Sequence, residues 1–318
     1  MKFPVFDLHC DTAFALLGDD FRQCGSLRDN KMHIDLKRAG ELRGYAQCFA
    51  CFTTTEEKKI DPVILFEREI ATIMRELEKN ADVMRQAFTP EDVEHNLSEG
   101  IMSAILTIEG PAGFGFDPAL LEDLYKIGFR ITTLGWNEMN PLTGSHKTGG
   151  GLTDLGRAYV KEAQRLGMLI DVSHISDQGF WDIIEITEAP VIATHSNSRR
   201  LCDVSRNITD EMFAAICKTG GVVGINLYTK FLGEQANLEM VCDQIQHFIT
   251  LDPKASHICL GGDLDGCDTL PEGFSGVQDY SKIADRLLER GVSENIVHNI
   301  FWNNAIGVMK RAVRINQK

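Results

Sequence analysis

Short apolar runs recur along the whole chain: 4–10 (PVFDLHC), 44–52 (GYAQCFACF), 101–110 (IMSAILTIEG), 129–136 (FRITTLGW), 168–174 (MLIDVSH), 190–196 (PVIATHS), 221–228 (GVVGINLY) and 257–265 (HICLGGDLD). They are near-continuously apolar rather than alternating, the pattern of strands covered on both faces in a parallel sheet. Between them the period changes to that of helices. Residues 62–80 place Val63, Phe66, Ile70, Ile73 and Leu77 at spacings of three and four behind the start signal Asp61-Pro62. Residues 153–166 repeat the pattern, with Thr153 as cap, Leu155, Tyr159, Ala163 and Leu166 along one side, and Gly167 as stop. Residues 209–219, 238–251, 281–290 and 293–311 behave alike. Strands alternating with helices, with no low-complexity linker, predict an α/β chain forming a single (β/α)8 TIM-type barrel over residues 1–318. A doubly wound sheet is the structural alternative. The longest irregular stretches, 18–40 and 137–152, are the candidate active-site loops.

Composition narrows the partners. The chain has 318 residues, 43% hydrophobic and 25% charged, as expected of a globular protein with a large core. Its 46 acidic against 32 basic residues give a net charge of −14, which repels nucleic acid and anionic lipid. No run approaches the roughly 18 apolar residues of a membrane span. The start, MKFPVFDLHCDT, lacks the apolar core of a signal peptide, and the tail RAVRINQK is polar. A cytoplasmic protein with no nucleic-acid or membrane partner is expected. Nine scattered cysteines fit reduced thiols.

Acidic residues and histidines fall at the C-terminal ends of the strand candidates, where barrel enzymes keep their active sites. His9 and Asp11 end the first, Glu109 the third, His174 the fifth, His195 the sixth and Asp263 the eighth. Residues two apart on a strand share a side, so His9 and Asp11 can chelate one ion. A single strand-end histidine is more often structural, but this many imidazoles and carboxylates at one mouth cost on the order of several kcal/mol unless a cation compensates them. Zinc suits the donors best, with Mn2+, Fe2+ or Co2+ as alternatives. Two ions are expected, because the five candidate ligands His9, Asp11, Glu109, His174 and His195 exceed the usual three of a catalytic zinc and Glu109 can bridge a pair about 3.5–4 Å apart.

Other signals are weaker. Cys48 and Cys51 form a lone CxxC whose spacing points them to opposite faces of a strand. His146-Lys147 before Gly149–Gly151 lacks the spacing of a phosphate loop. Ser173 and Ser196 adjoin histidines in sequence and so face away from them, Cys10 lies between two ligands, and no nucleophile elbow is present.

The segments FDLHCD, TIEG, GLTDLGRAYVKEAQRLGMLIDVSH, PVIATHS, SRN, GVVGINLY and GGDLDG stand in the order and near the spacing of the renal (membrane) dipeptidase family of the metal-dependent amidohydrolase barrels, which the chain resembles nearly end to end. The resemblance implies a metallo-dipeptidase with two Zn2+ ions per subunit. One ion is held by His9 and Asp11, the other by His174 and His195, and Glu109 bridges them. It also implies that Asp263 handles the proton, with Asp265 as the rival, that Arg206 clasps the substrate carboxylate, and that Phe14 and Tyr228 contact substrate. L,L dipeptides and, as in some members, L,D dipeptides are the implied substrates, and a homodimer the implied assembly. One departure stands out: Trp136 occupies the position of a family histidine that holds the oxyanion. Trp136, His146 or a zinc must then take that role, and losing one such donor costs about 2.7–4 kcal/mol elsewhere. The rival functions are a sister hydrolase of cyclic amides, esters or phosphoesters, and a non-catalytic metal-binding protein.

Overall fold

Each of the eight apolar runs carries a strand: β1 Val5–Cys10, β2 Tyr45–Phe52, β4 Met102–Glu109, β5 Phe129–Thr133, β6 Leu169–Asp171, β7 Val191–Ile192, β8 Val223–Ile225 and β9 Ile258–Leu260. A ninth, β3 Met84–Gln86, was not predicted, because its three residues include only one buried side chain, Met84. It pairs with the start of β4 outside the main order. This is a computed structural model describing residues 2–315, so residues 316–318 of the polar tail lie outside the described residues.

All the paired strands are parallel, in the order β7-β6-β5-β4-β2-β1-β9-β8. The ring closes where Ala193, just past β7, bridges Val223 of β8, with Ala193 N–H donating to Val222 O at 3.0 Å and Gly224 N–H to Ala193 O at 2.8 Å. The fold is a (β/α)8 TIM-type barrel. β2 and β4 run in unbroken register from Ala46↔Ser103 to Phe52↔Glu109, which delivers Phe52 and Glu109 to the same rim. β1 carries one extra residue, since Asp7 pairs with Gln47 but Cys10 with Phe49. A bulge of this kind reverses the alternation. It lets Leu8 pack in the inner cluster while its neighbour His9 also reaches the mouth.

Two buried clusters fill the molecule. Phe6, Leu8, Ala46, Cys48, Ile105 and Ile131 pack inside the barrel with Trp302, Ala305, Ile306 and Met309 from the C-terminal part of the chain. The outer cluster joins the other strand faces to the helices. Cys48 and Cys51 fall in different clusters, as their spacing predicts.

The helices follow their end signals and most of their predicted faces: Phe66, Ile73 and Leu77 are buried on one, Tyr159, Ala163 and Leu166 on the other. Asp61 caps Pro62–Lys79 and Thr153 caps Asp154–Leu166, which stops at Gly167 in left-handed conformation. Val63 and Leu155, however, are exposed, where the apolar spacing placed them inside. Beside its predicted apolar residues, helix Pro62–Lys79 also buries Leu65, Glu69 and Glu76. Glu69 accepts from Phe52 N–H at 2.6 Å and Glu76 from Leu27 N–H at 2.8 Å, so both carboxylates answer backbone donors that need partners. The predicted 293–311 helix is split by a wider π turn, Asn299–Asn303, before Asn304–Ile315. Among the described residues, no helix is long and apolar enough to cross a membrane.

Candidate metal centre

The mouth is assembled from residues at or just past the strand ends. Glu109 is the last residue of β4, His9 the penultimate residue of β1, and Asp11 precedes the short helix Thr12–Ala15. His174, His195 and Asp263 follow β6, β7 and β9. His174 and Asp263 have left-handed backbone, φ 70° and 57°. Such conformations cost non-glycine residues about 1–3 kcal/mol each and gather where function fixes side-chain direction.

Glu109 divides its two oxygens between two groups. Oε2 lies 3.3 Å from His9 Nε2, which is 3.7 Å from Asp11 Oδ2. Oε1 lies 2.9 Å from His174 Nε2 and 3.8 Å from His195 Nε2, and those two nitrogens are 3.0 Å apart. Asp263 Oδ1 stands 3.9 Å from His9 Nε2. His9 Nε2, Asp11 Oδ1 and Glu109 Oε2 are buried without any hydrogen-bond partner.

Electrostatics expose the same tension. Burial and the charge of Asp11 push Glu109 up to about 8. Burial raises Asp263 to about 6, against the pull of His9. Burial opposes a charge on His9, but Glu109 and Asp11 outweigh it and hold that ring well above its usual value. Burial drives His174 and His195 well below theirs, leaving neutral donors. Orphaned ligand atoms beside carboxyls that resist ionising together are what divalent cations relieve, and the nitrogen and carboxylate donors suit such cations. Space is kept for them: a Cβ on Gly266 would stand 2.1 Å from Asp11 Oδ2 and 2.5 Å from Asp263 Oδ1.

Above the carboxylates opens a cavity of about 680 Å3, within the range of small-ligand sites. Phe14, Phe52, Trp136 and Tyr228 line it, with Glu56, Glu57, Lys147 and Lys230. Phe14 meets Phe52 edge-on at 5.6 Å, and Phe52 meets Trp136 edge-on at 5.1 Å. His146, on the predicted loop 137–152, reaches the same wall 6.2 Å from His174. Its nitrogens engage Asn137 Oδ1 at 2.8 Å and Ser205 Oγ at 3.0 Å, and burial followed by the charge of Arg206 lowers it to about 4.

Asp263 and Asp265 separate. Asp263 accepts from Asn226 Nδ2 at 3.1 Å at the metal side, while Asp265 accepts from the Thr12 hydroxyl at 2.7 Å and His33 N–H at 2.6 Å, tying down the 18–40 stretch. Arg206 is buried and gives only Nη1, to Ser196 Oγ at 2.8 Å; its Nε and Nη2 have no partner. Ser196 is thereby engaged as an acceptor and Cys10 is buried in the outer cluster, so neither faces the cavity as a nucleophile. Sequence reasoning missed Asn137, Asn226, Phe52 and Asp171. Of these, Asp171 carried a signal, an acidic residue at a strand end.

The family model for membrane dipeptidases, Peptidase family M19, matches residues 1–318. An uncharacterised Klebsiella pneumoniae protein from the region 5′ of pqqA is 30% identical over 79% of this chain and 97% of its own. Dipeptidase aclJ of Aspergillus oryzae is 30% identical over 97% of this chain and 78% of its own. A metallopeptidase from Rhodobacter sphaeroides, solved with a phosphinate mimic of the dipeptide L-Ala-D-Ala, superposes with a TM-score of 0.87 at 25% identity, over 98% of this chain and 100% of its own.

Proposed function

The chain belongs to the membrane dipeptidase family, Peptidase family M19, and is a metallo-dipeptidase; on that premise we propose that it works with two Zn2+ ions, held by His9, Asp11, Glu109, His174 and His195. The observation that carries this is the division of Glu109, whose two carboxylate oxygens face two separate ligand groups. Bound there, zinc ions supply a water of lowered pKa and a Lewis acid for the scissile carbonyl.

The rest of the chemistry falls to the chain. Hydrolysis adds a water oxygen to the peptide carbon and releases an amine that must leave protonated. Asp263 stands beside the ligand group at 3.9 Å from His9 Nε2, and burial raises it far enough to hold a proton and return it. Its role is to take the proton of the attacking water and deliver it to the leaving nitrogen. Arg206 offers the unpartnered Nε and Nη2 to the substrate carboxylate, a planar fork suited to a carboxylate and one that selects peptides ending within its reach. Phe14, Phe52, Trp136 and Tyr228 exclude water around the substrate side chains. The Trp136 indole N–H is the donor available to the developing oxyanion, since neutral His146 gives its one N–H to Asn137 Oδ1. The L-Ala-D-Ala mimic on the Rhodobacter relative supports extending the substrates to L,D dipeptides.

Zinc-loaded protein assayed on L,L and L,D dipeptides should turn over members of both sets and stop on chelation. Asp263→Asn should lower kcat by about 10²–10⁴-fold with zinc content unchanged. Turnover of a cyclic amide, ester or phosphoester with none of any dipeptide would overturn the substrate assignment.

A further inference from the structure

Asp171 is a wholly buried carboxylate at the end of β6, close enough to His9 and His195 to form a third grouping of candidate ligand atoms. Its hydrogen bonds rule out that use. Oδ1 accepts from Ser173 N–H and Thr194 N–H, both at 2.9 Å. Oδ2 accepts from the hydroxyls of Thr133 at 3.0 Å and Thr194 at 2.5 Å. Four donors occupy the positions a carboxylate has for accepting, and nothing is left for a metal.

The Thr194 hydroxyl has two further neighbours, His195 Nδ1 at 2.7 Å and, at the longer distance of 3.4 Å, Ser173 Oγ. A hydroxyl owns one hydrogen. With that hydrogen given to Asp171, its oxygen can only accept from the imidazole, so Nδ1 must carry the ring proton and Nε2 must present a lone pair. Nε2 is the nitrogen that faces His174 Nε2 and Glu109 Oε1. We infer that Asp171 and Thr194 are a positioning pair: a carboxylate–hydroxyl–imidazole relay that fixes the tautomer and direction of His195 as a metal ligand. Metal-bound histidines commonly hand their second N–H to a carboxylate or carbonyl, and here a hydroxyl spans the gap. The surroundings hold Thr194 rigidly. Its carbonyl oxygen lies against Gly224 and Gly261, where an added Cβ would stand 2.0 and 1.7 Å away.

The relay rests on His195 being a ligand, and the two claims fail differently. The full-length protein, Thr194→Val and Thr194→Ser would each be titrated with Zn2+ against a chromophoric chelator. Wild type should bind two equivalents. Thr194→Val should weaken one of them by about 10–100-fold and leave the other within about threefold, whereas Thr194→Ser, which keeps the hydroxyl, should stay within about threefold for both. Two unchanged equivalents in Thr194→Val, or equal losses in both variants, would overturn the relay. Wild type binding no zinc would instead overturn the metal assignment. Should Thr194→Val not fold, ring-nitrogen NMR of wild type decides: His195 protonated on Nδ1 supports the relay, and protonation on Nε2 contradicts it.

Discussion

Arg206 places a cation in the interior with a single neutral partner, Ser196, and two nitrogens unanswered. Burial lowers its pKa, and a group in that state costs folding free energy until an anion arrives. On the proposed carboxylate clasp, substrate affinity and strain in the free protein would be two sides of one feature. Arg206→Met should lower kcat/KM for dipeptides by about 10²–10⁴-fold, the worth of two charge-assisted hydrogen bonds. Against dipeptides amidated at the C-terminus, wild type and variant should lie within a few-fold of each other. The thermal midpoint of the free variant should equal or exceed that of wild type. An equal loss on free and amidated dipeptides would contradict a carboxylate clasp. Sequence alone marks Arg206 only through its resemblance to the family motif; no spacing or strand-end position singles it out, because it sits in a loop where only the folded chain shows its nitrogens to be unpartnered.

At the level of elements, one departure from the sequence pattern is the burial of carboxylates on an apolar helix face, where they answer backbone groups that need partners. Helix Pro62–Lys79 buries Glu69, which accepts from Phe52 N–H at the end of β2. Burial raises the pKa of Glu69 well above the usual 4.5, although the Phe52 N–H works against the shift. The folded state therefore holds this proton more tightly than the unfolded chain, and stability from this group falls as pH rises above about 4.5. Glu69→Gln keeps an acceptor and cannot ionise. Its thermal midpoint should gain on wild type progressively from pH 4.5 toward pH 8 in calorimetry, and a difference that stays flat across that range would contradict the burial of an ionisable carboxyl. The β1 bulge was equally hidden from the sequence. Simple alternation correctly groups His9 with Asp11, but it would also have turned Asp7 inward, whereas Asp7 accepts from His9 N–H at 3.0 Å, Gly262 N–H at 3.1 Å and the Tyr280 hydroxyl. That one carboxylate ties the His9 strand to the turn that carries Asp263.

Over the whole molecule, the barrel and the gathering of His9, Asp11, Glu109, His174 and His195 at its mouth were legible because both follow from repetition: eight apolar runs, most of them ending in a chemical side chain. What was not legible depends on where loops travel. The 137–152 stretch and its His146 were candidates in the sequence, but Asn137 was not, and its Oδ1 reaches both His146 Nε2 and His174 Nδ1, at 2.8 and 3.2 Å. Asp171 was visible as a residue and hidden as a partner, since its link to His195 runs through Thr194 in the turn past β7. The two halves of the centre are consequently supported in different ways: His9 by Asp7 through its backbone, His174 and His195 by Asn137 and the Thr194 hydroxyl through their rings. Glu109 alone belongs to both. The most direct measurement is anomalous diffraction at the zinc edge from crystals of the zinc-loaded protein. Two peaks about 3.5–4 Å apart should flank the Glu109 carboxylate, one beside His9 and Asp11 and the other beside His174 and His195. A single peak, or a peak seated on Asp171, would contradict the bridged two-metal centre.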